Sequence, residues 1–169
     1  MGGGMFKKVI FDVDQTLVDT TCLERERQNR NWSLVYRLIP QAHLFDGMEE
    51  VFSIIRKCGI SVALVTTTPR TYVERIAHHF NIPYNHIVSY HDAPPKPNPT
   101  AMLLALKLLQ AESDEVLSFG DREIDIQASN AAGIESIACF WGTSEANQLW
   151  KSGYRHAIRC PLEILTLIR

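Results

Sequence analysis

Apolar positions along the chain alternate between short continuous runs and longer stretches with helical spacing. The continuous runs lie at residues 8–13, 60–66, 87–89, 116–119 and 136–139. A run that is apolar at nearly every position is typical of a strand covered on both faces, and such strands belong to parallel sheets. We therefore expect a mainly parallel sheet of about five strands.

Helical stretches fill the gaps between these runs. Apolar residues recur on one helical face at residues 48–55, 73–80, 102–109 and 124–132. Gly59 and Gly133 follow the first and the last stretch, as glycine commonly does at a helix C-terminus. Thr68 and Pro69 are expected as the cap and first turn of the second helix. Strands and helices that alternate through short connections predict a three-layer, doubly wound α/β fold.

One segment, at about residues 20–43, interrupts the alternation and is interpreted as an insertion. Residues 24–27 alternate in charge and are expected to form a solvent-exposed helical face. The apolar residues 32–38 are expected to cover a sheet edge or to meet a partner subunit. The insertion is too short for an independently packed domain, so one longer helix or a short helical pair is expected.

Composition limits the domain count and the class of partner. The chain has 169 residues, of which 46% are hydrophobic, enough to bury the core of a single domain spanning residues 1–169. The net charge of −2 excludes a strongly basic surface, so nucleic acid is not expected as a partner. No stretch approaches the roughly 18–20 apolar residues of a membrane span, so no membrane association is expected.

Targeting and redox features indicate a cytoplasmic protein. The N-terminus does not begin with a charged leader and a long apolar segment, and the glycines at residues 2–4 are interpreted as a flexible tail. The cysteines at positions 22, 58, 139 and 160 form no C-x-x-C pair. Free thiols in a reducing compartment are therefore expected.

The strongest chemical signal follows the first strand. Asp12 and Asp14 lie where this strand gives way to a loop, and ligands of open parallel sheets bind beyond the carboxyl ends of the strands. Taken alone, two aspartates at this spacing could also form an ordinary turn.

Three further features belong to the same edge of the predicted sheet. The second strand ends in the hydroxyl residues 66–68 before a helix, a place suited to phosphate or to simple helix capping. Lys96 stands in a proline-rich loop after the third strand. Asp121 and Asp125 follow the fourth strand. Each of these features alone has an ordinary structural explanation.

In this order, the four motifs closely resemble those of the haloacid dehalogenase-like (HAD) superfamily. They read D-x-D-x-T at 12–16, V-T-T at 65–67, K-P-N-P at 96–99 and G-D-x-x-x-D-x-x-x-x-x-x-A-G-I at 120–134. Their surroundings, LFDGMEEVF at 44–52 and PLEIL at 161–165, are most similar to the phosphoglycolate-phosphatase-like branch. Gln15 stands where many relatives have glycine, and its side chain is expected to point away from the site.

The resemblance implies a Rossmann-like HAD core with a reduced cap, and a set of catalytic roles. Asp12 would be the nucleophile, forming an aspartyl-phosphate. Asp14 would be the general acid and then the base. Thr66 and the amide of Thr67 would bind phosphoryl oxygens, while Lys96 would offset negative charge and also contact the substrate. Aspartate at both positions of the first motif favours a phosphatase over a dehalogenase.

The four aspartates would crowd negative charge around a dianionic substrate, which requires a cation. Hard oxygen ligands in this number suit Mg²⁺. The resemblance implies that the Asp12 carboxylate, the Asp14 carbonyl and Asp121 are the metal ligands. Asp125 either completes the metal site or supports it by holding Lys96.

The leading hypothesis is a Mg²⁺-dependent phosphatase that hydrolyses small phosphomonoesters through an aspartyl-phosphate. One alternative is a phosphatase for a macromolecular phosphate, on a phosphoprotein or a nucleic-acid end. A catalytically silent HAD-like binding module and a phosphoryl-transfer mutase are further alternatives. The short insertion predicts a site that is open to solvent. Either a larger substrate or a second copy of the chain, in a homo-oligomer, is expected to cover the open side of the site.

Overall fold

A parallel six-stranded sheet forms the centre of the computed structural model, which describes residues 6–168. The glycine tail expected at residues 2–4 lies outside these residues. The strands are β1 (Lys8–Phe11), β2 (Val18–Asp19), β3 (His43–Leu44), β4 (Ser61–Val65), β5 (His86–Val88), β6 (Val116–Gly120), β7 (Glu135–Cys139) and β8 (His156–Ile158). The large sheet has the order β5-β4-β1-β6-β7-β8, and β2 pairs with β3 in a separate antiparallel ladder.

Helices cover both faces of this sheet. They are α1 (Glu24–Gln28), α2 (Trp32–Leu38), α3 (Met48–Cys58), α4 (Arg70–His79), α5 (Thr100–Leu109), α6 (Glu123–Ala131), α7 (Ala146–Trp150) and α8 (Ile164–Leu167). Val9 and Phe11 of β1 share a buried cluster with α3, α4 and α8, whereas Ile10 between them belongs to the cluster of α5 and α6. Successive side chains thus point into opposite layers, and the predicted doubly wound α/β fold is confirmed.

Two details differ from the sequence-based expectations. The sheet has a sixth strand, β8, which the apolar pattern missed because its first two residues, His156 and Ala157, are exposed at the sheet edge. Helix α4 starts one residue later than expected, with Pro69 at its N-cap position. The Thr68 hydroxyl lies 2.7 Å from that of Thr66 and does not cap the helix.

The insertion folds as two short helices against the core. Arg30, which adopts a left-handed conformation with φ of 54°, lies between α1 and α2. Leu23 and Val35 are completely buried, and the Trp32 ring packs 5.8 Å from the ring of Tyr72 on α4. Within residues 6–168, each helix is too short or too polar to cross a bilayer.

Burial of the insertion predicts a stability effect. Leu23→Ala should lower the free energy of unfolding by about 2–5 kcal/mol, because it opens a cavity in the main core. Leu103→Ala on α5 is the control, since Leu103 is 49% exposed and should cost only about 0.5 kcal/mol. Urea denaturation measures both values. Equal, small losses would show that the insertion is not packed on the core.

Candidate active site

The turn after β1 places Asp12 and Asp14 at the carboxyl edge of the sheet. The Asp12 amide still donates to the carbonyl of Phe119 on β6, at 3.0 Å. The amide of Leu17 donates back to the carbonyl of Val13 at 2.9 Å, which closes the turn. Asp12 is therefore held by the sheet, while Asp14 lies on the turn itself.

Gln15 occupies this turn with φ of 63°, in the left-handed region that glycine adopts most easily. This conformation explains why glycine suits the position. Gln15 is one of the residues that line the pocket, and its Nε2 donates to the Thr21 hydroxyl at 3.0 Å. This hydrogen bond directs the Gln15 amide toward the insertion.

Lys96 is the buried cation at the centre of the site. Its Nζ lies 2.8 Å from Asp12 Oδ1 and 2.5 Å from Asp125 Oδ1. It also donates to the carbonyl of Val65 at the end of β4, at 3.1 Å. Burial alone would lower the pKa of Lys96, but the negative charges of Asp12 and Asp125 outweigh burial and raise it. Lys96 therefore carries its charge at neutral pH.

Asp125 joins Lys96 to helix α6. Its Oδ2 accepts a hydrogen bond from the backbone N–H of Arg122 at 3.0 Å, at the start of the helix. Gly120 permits this close approach, since a Cβ at that position would lie 2.3 Å from the Cβ of Asp125. One carboxylate oxygen of Asp125 thus caps the helix, and the other faces Lys96.

Three carboxylates converge beside Lys96. Oxygen atoms of Asp12, Asp121 and Asp125 lie within 4.8 Å of one another, close enough to share one cation. Asp121 Oδ1 accepts a hydrogen bond from the buried Thr16 hydroxyl at 3.0 Å. Burial, opposed by Lys96 and reinforced by the charge of Asp125, raises the pKa of Asp12 to about 7. Burial and the charges of Asp12 and Asp125 raise the pKa of Asp121 well above its ordinary value.

The hydroxyl residues after β4 also line the pocket. Thr66 is buried, and its hydroxyl accepts a hydrogen bond from the Thr68 backbone N–H at 3.1 Å. Thr67 is exposed and lines the same pocket as Lys96. The structure therefore brings Thr66, Thr67 and Lys96 together with the four aspartates.

Asp14 has a shell of donors that the sequence analysis missed. Its Oδ1 accepts hydrogen bonds from the hydroxyls of Tyr72 at 2.5 Å and Thr20 at 2.7 Å. Its Oδ2 forms an ion pair with Arg27 Nη1 at 2.8 Å. The charged run was expected to be solvent-exposed, but the Arg27 side chain is only 17% exposed. No local pattern separates Arg27 from Arg25, so only the fold reveals the contact.

The pocket formed by these residues has a volume of about 390 Å³ and continues into a neighbouring groove of about 460 Å³. Arg27, Gln28 and Thr67 line both spaces. Trp32 and Tyr90 line only the groove. The pocket is polar and charged, whereas the groove offers two aromatic rings.

Curated proteins that are similar to this chain in sequence include named phosphatases. A phosphoglycolate phosphatase of Pseudomonas savastanoi pv. phaseolicola is 24% identical over 132 residues, covering 74% of this chain and 48% of that protein. A phosphoglycolate phosphatase of Vibrio parahaemolyticus is 32% identical over 104 residues, covering 60% and 46% of the two chains. The chain thus spans about half the length of these curated relatives.

Solved structures support the fold. The crystal structure of a predicted phosphoglycolate phosphatase from Haemophilus somnus matches with a TM-score of 0.85 at 18% identity, covering 99% of this chain and 100% of that one. The family model for haloacid dehalogenase-like hydrolases matches residues 24–139, more than half of the chain, including Thr66, Lys96, Asp121 and Asp125. The expected family is therefore confirmed, and the chain belongs to the haloacid dehalogenase-like hydrolase family.

Proposed function

We propose that the protein is a Mg²⁺-dependent phosphatase that hydrolyses phosphomonoesters through an aspartyl-phosphate. The observation that carries this proposal is the buried group of Asp12, Asp121 and Asp125 around Lys96, at the carboxyl edge of the sheet. The relatives named phosphoglycolate phosphatase support the same reaction class.

Asp12 is the proposed nucleophile. Its Oδ1 is held by Lys96, which leaves Oδ2 for attack on phosphorus. The new bond joins Asp12 to phosphorus while the bond to the leaving-group oxygen breaks. The Thr66 hydroxyl, the Thr67 amide and the Lys96 ammonium stabilise the phosphoryl oxygens during this transfer.

Asp14 is the proposed proton carrier. It gives a proton to the departing alcohol oxygen and then takes one from the water that attacks the aspartyl-phosphate. Asp14 lines the pocket beside Asp12, which places both carboxylates next to the same substrate. One residue can serve in both steps because the second step begins with Asp14 deprotonated.

Mg²⁺ fits the donor set of this site. Carboxylates whose pKa values are raised by burial and by neighbouring negative charges, as for Asp12 and Asp121, gain most from a divalent cation. The Asp12 carboxylate, the Asp14 carbonyl and Asp121 would hold the ion. Once bound, it supplies positive charge that offsets the charge of the phosphoryl group. Asp125 is better suited to supporting the site, since its Oδ1 forms an ion pair with Lys96 and its Oδ2 caps helix α6.

The substrate is proposed to be a small phosphorylated molecule. The groove beside the pocket favours a leaving group that extends past Arg27 toward Trp32 and Tyr90, so a larger phosphate ester is the second candidate. Hydrolysis rates measured on a panel of phosphate esters, from glycolyl to aryl and nucleoside phosphates, would distinguish a small substrate from a larger one.

Three further properties are proposed alongside the reaction. Residues 1–169 form one HAD-like core domain, with residues 20–43 as a reduced cap that could also join two copies of the chain. The protein works in the cytoplasm, a compartment that suits its four free cysteines.

The proposed reaction predicts metal dependence and inactive variants. With para-nitrophenyl phosphate as substrate, EDTA should abolish turnover and added Mg²⁺ should restore it. Asp12→Asn should reduce turnover at least about 1,000-fold, because an amide is not a nucleophile. Asp14→Asn should lose about 100-fold or more, because it cannot exchange the proton.

The matched control for these variants is Asp114→Asn, which makes the same chemical change at an exposed residue outside the pocket. Its turnover should equal that of the wild type. Turnover that survives thorough chelation, or a fully active Asp12→Asn variant, would contradict the proposed chemistry.

Crowding of the carboxylates predicts a stability effect that depends on pH. Because the folded-state pKa of Asp121 is raised, the folded protein binds more protons than the unfolded chain, and its stability falls as pH rises above the ordinary Asp pKa of about 3.9. Asp121→Asn removes this loss and keeps the acceptor for Thr16. In EDTA at pH 8 the variant should therefore melt several degrees higher than the wild type, each kcal/mol being worth about 2–4 °C.

The melting advantage of Asp121→Asn should shrink toward pH 4, where the wild-type carboxyl is protonated. Mg²⁺ should raise the melting temperature of the wild type more than that of the variant. A variant that melts lower than the wild type at pH 8 in EDTA would contradict the crowding argument, and Asp114→Asn again serves as the control.

A further inference from the structure

The donors around Asp14 come from separate parts of the chain. Tyr72 belongs to α4 and Thr20 begins the insertion, and both residues are completely buried. Arg27 belongs to α1, and its guanidinium carbon lies 5.6 Å from the centre of the Tyr72 ring. These three side chains meet at a single carboxylate.

The two oxygens of Asp14 have different surroundings. Arg27 and Asp14 line the catalytic pocket, whereas Thr20 and Tyr72 do not. Oδ1, which Thr20 and Tyr72 contact, therefore faces the protein interior. Oδ2 is paired with Arg27, which itself lines the pocket.

The pairing of Arg27 with Asp14 leaves one donor of the guanidinium over. Its Nε–H is buried and has no hydrogen-bond partner among residues 6–168. A buried donor without a partner costs about 1–3 kcal/mol. Among the described residues, the Arg27 guanidinium is thus held by its ion pair with Asp14 and not through Nε.

We propose that Arg27 and Tyr72 are positioning residues that orient the Asp14 carboxylate for proton transfer. This inference rests on the proposed phosphatase function. Asp14 lies on a turn, where its side chain would otherwise rotate freely, and a misplacement of about 1 Å can cost roughly 100-fold in rate. Tyr72 holds Oδ1 from the interior and Arg27 holds Oδ2 at the pocket, so the insertion completes the acid–base group.

The role of these residues can be measured with two esters of nearly equal size. The para-nitrophenolate of para-nitrophenyl phosphate leaves without a proton, whereas the leaving group of phenyl phosphate needs one. The ratio kcat/KM reports the steps up to formation of the aspartyl-phosphate. A misplaced Asp14 should therefore impair phenyl phosphate hydrolysis selectively.

Arg27→Gln should lower kcat/KM for phenyl phosphate about 100-fold. For para-nitrophenyl phosphate, the loss should be at least about ten times smaller. Arg27→Lys should recover part of the loss, because it restores the charge. Tyr72→Phe, which keeps the buried ring, should show the same bias with a loss of about tenfold. Arg25→Gln is the control, since Arg25 is exposed on the same helix, and both esters should then be hydrolysed at the wild-type rate.

Equal losses on the two esters would overturn the inference and would indicate that Arg27 binds the phosphoryl group. Unchanged rates in Arg27→Gln and Tyr72→Phe would also overturn it. If Arg27→Gln does not fold, as judged by circular dichroism, Arg27→Lys and Tyr72→Phe still give the ester ratio. A wild-type protein that hydrolyses neither ester with Mg²⁺ overturns the proposed function and this inference with it. An active wild type with unbiased variants overturns only the inference.

Discussion

Lys96 between Asp12 and Asp125 is the interaction on which the architecture of the site depends. A buried ammonium is costly unless it is paired, and here two carboxylates and the carbonyl of Val65 surround it. These partners come from the ends of β1 and β4 and from the start of α6. The lysine thus links side chains from three elements at the carboxyl edge of the sheet, and breaking either ion pair would leave a buried charge uncompensated.

The same arrangement leaves the carboxylates incompletely compensated. Burial raises the pKa values of Asp12 and Asp121, neighbouring carboxylates raise them further, and Lys96 offsets only part of this effect. Negative charge that Lys96 leaves uncompensated can be balanced by a divalent cation more fully than by a sodium ion. The buried carboxylates thus lower the stability of the folded protein at the place where the proposed chemistry needs a cation.

Most of the site could be predicted from the sequence because its residues follow predicted strands. Asp12, Thr66 and Asp121 each come directly after an apolar run, and the carboxyl ends of parallel strands meet at one edge. Arg27 and Tyr72 could not be predicted in this way. Arg27 lies in a run of alternating charges, and Tyr72 lies on the apolar face of α4. Their polar atoms meet Asp14 only because the insertion turns back onto α4, a contact between segments 45 residues apart.

The ladder of β2 and β3 has a consequence for the evolution of this site. Asp19 pairs with His43, so the two ends of the insertion are clamped side by side by backbone hydrogen bonds. The entropic free-energy cost of closing a loop grows slowly with the length of the loop, by about 0.6 kcal/mol for each doubling. A longer segment could therefore be grafted between these strands with little thermodynamic penalty to the sheet. Because Arg27 lies inside the exchanged segment, a graft would also have to provide a new partner for Asp14. The insertion and the acid–base group around Asp14 would therefore have to evolve together.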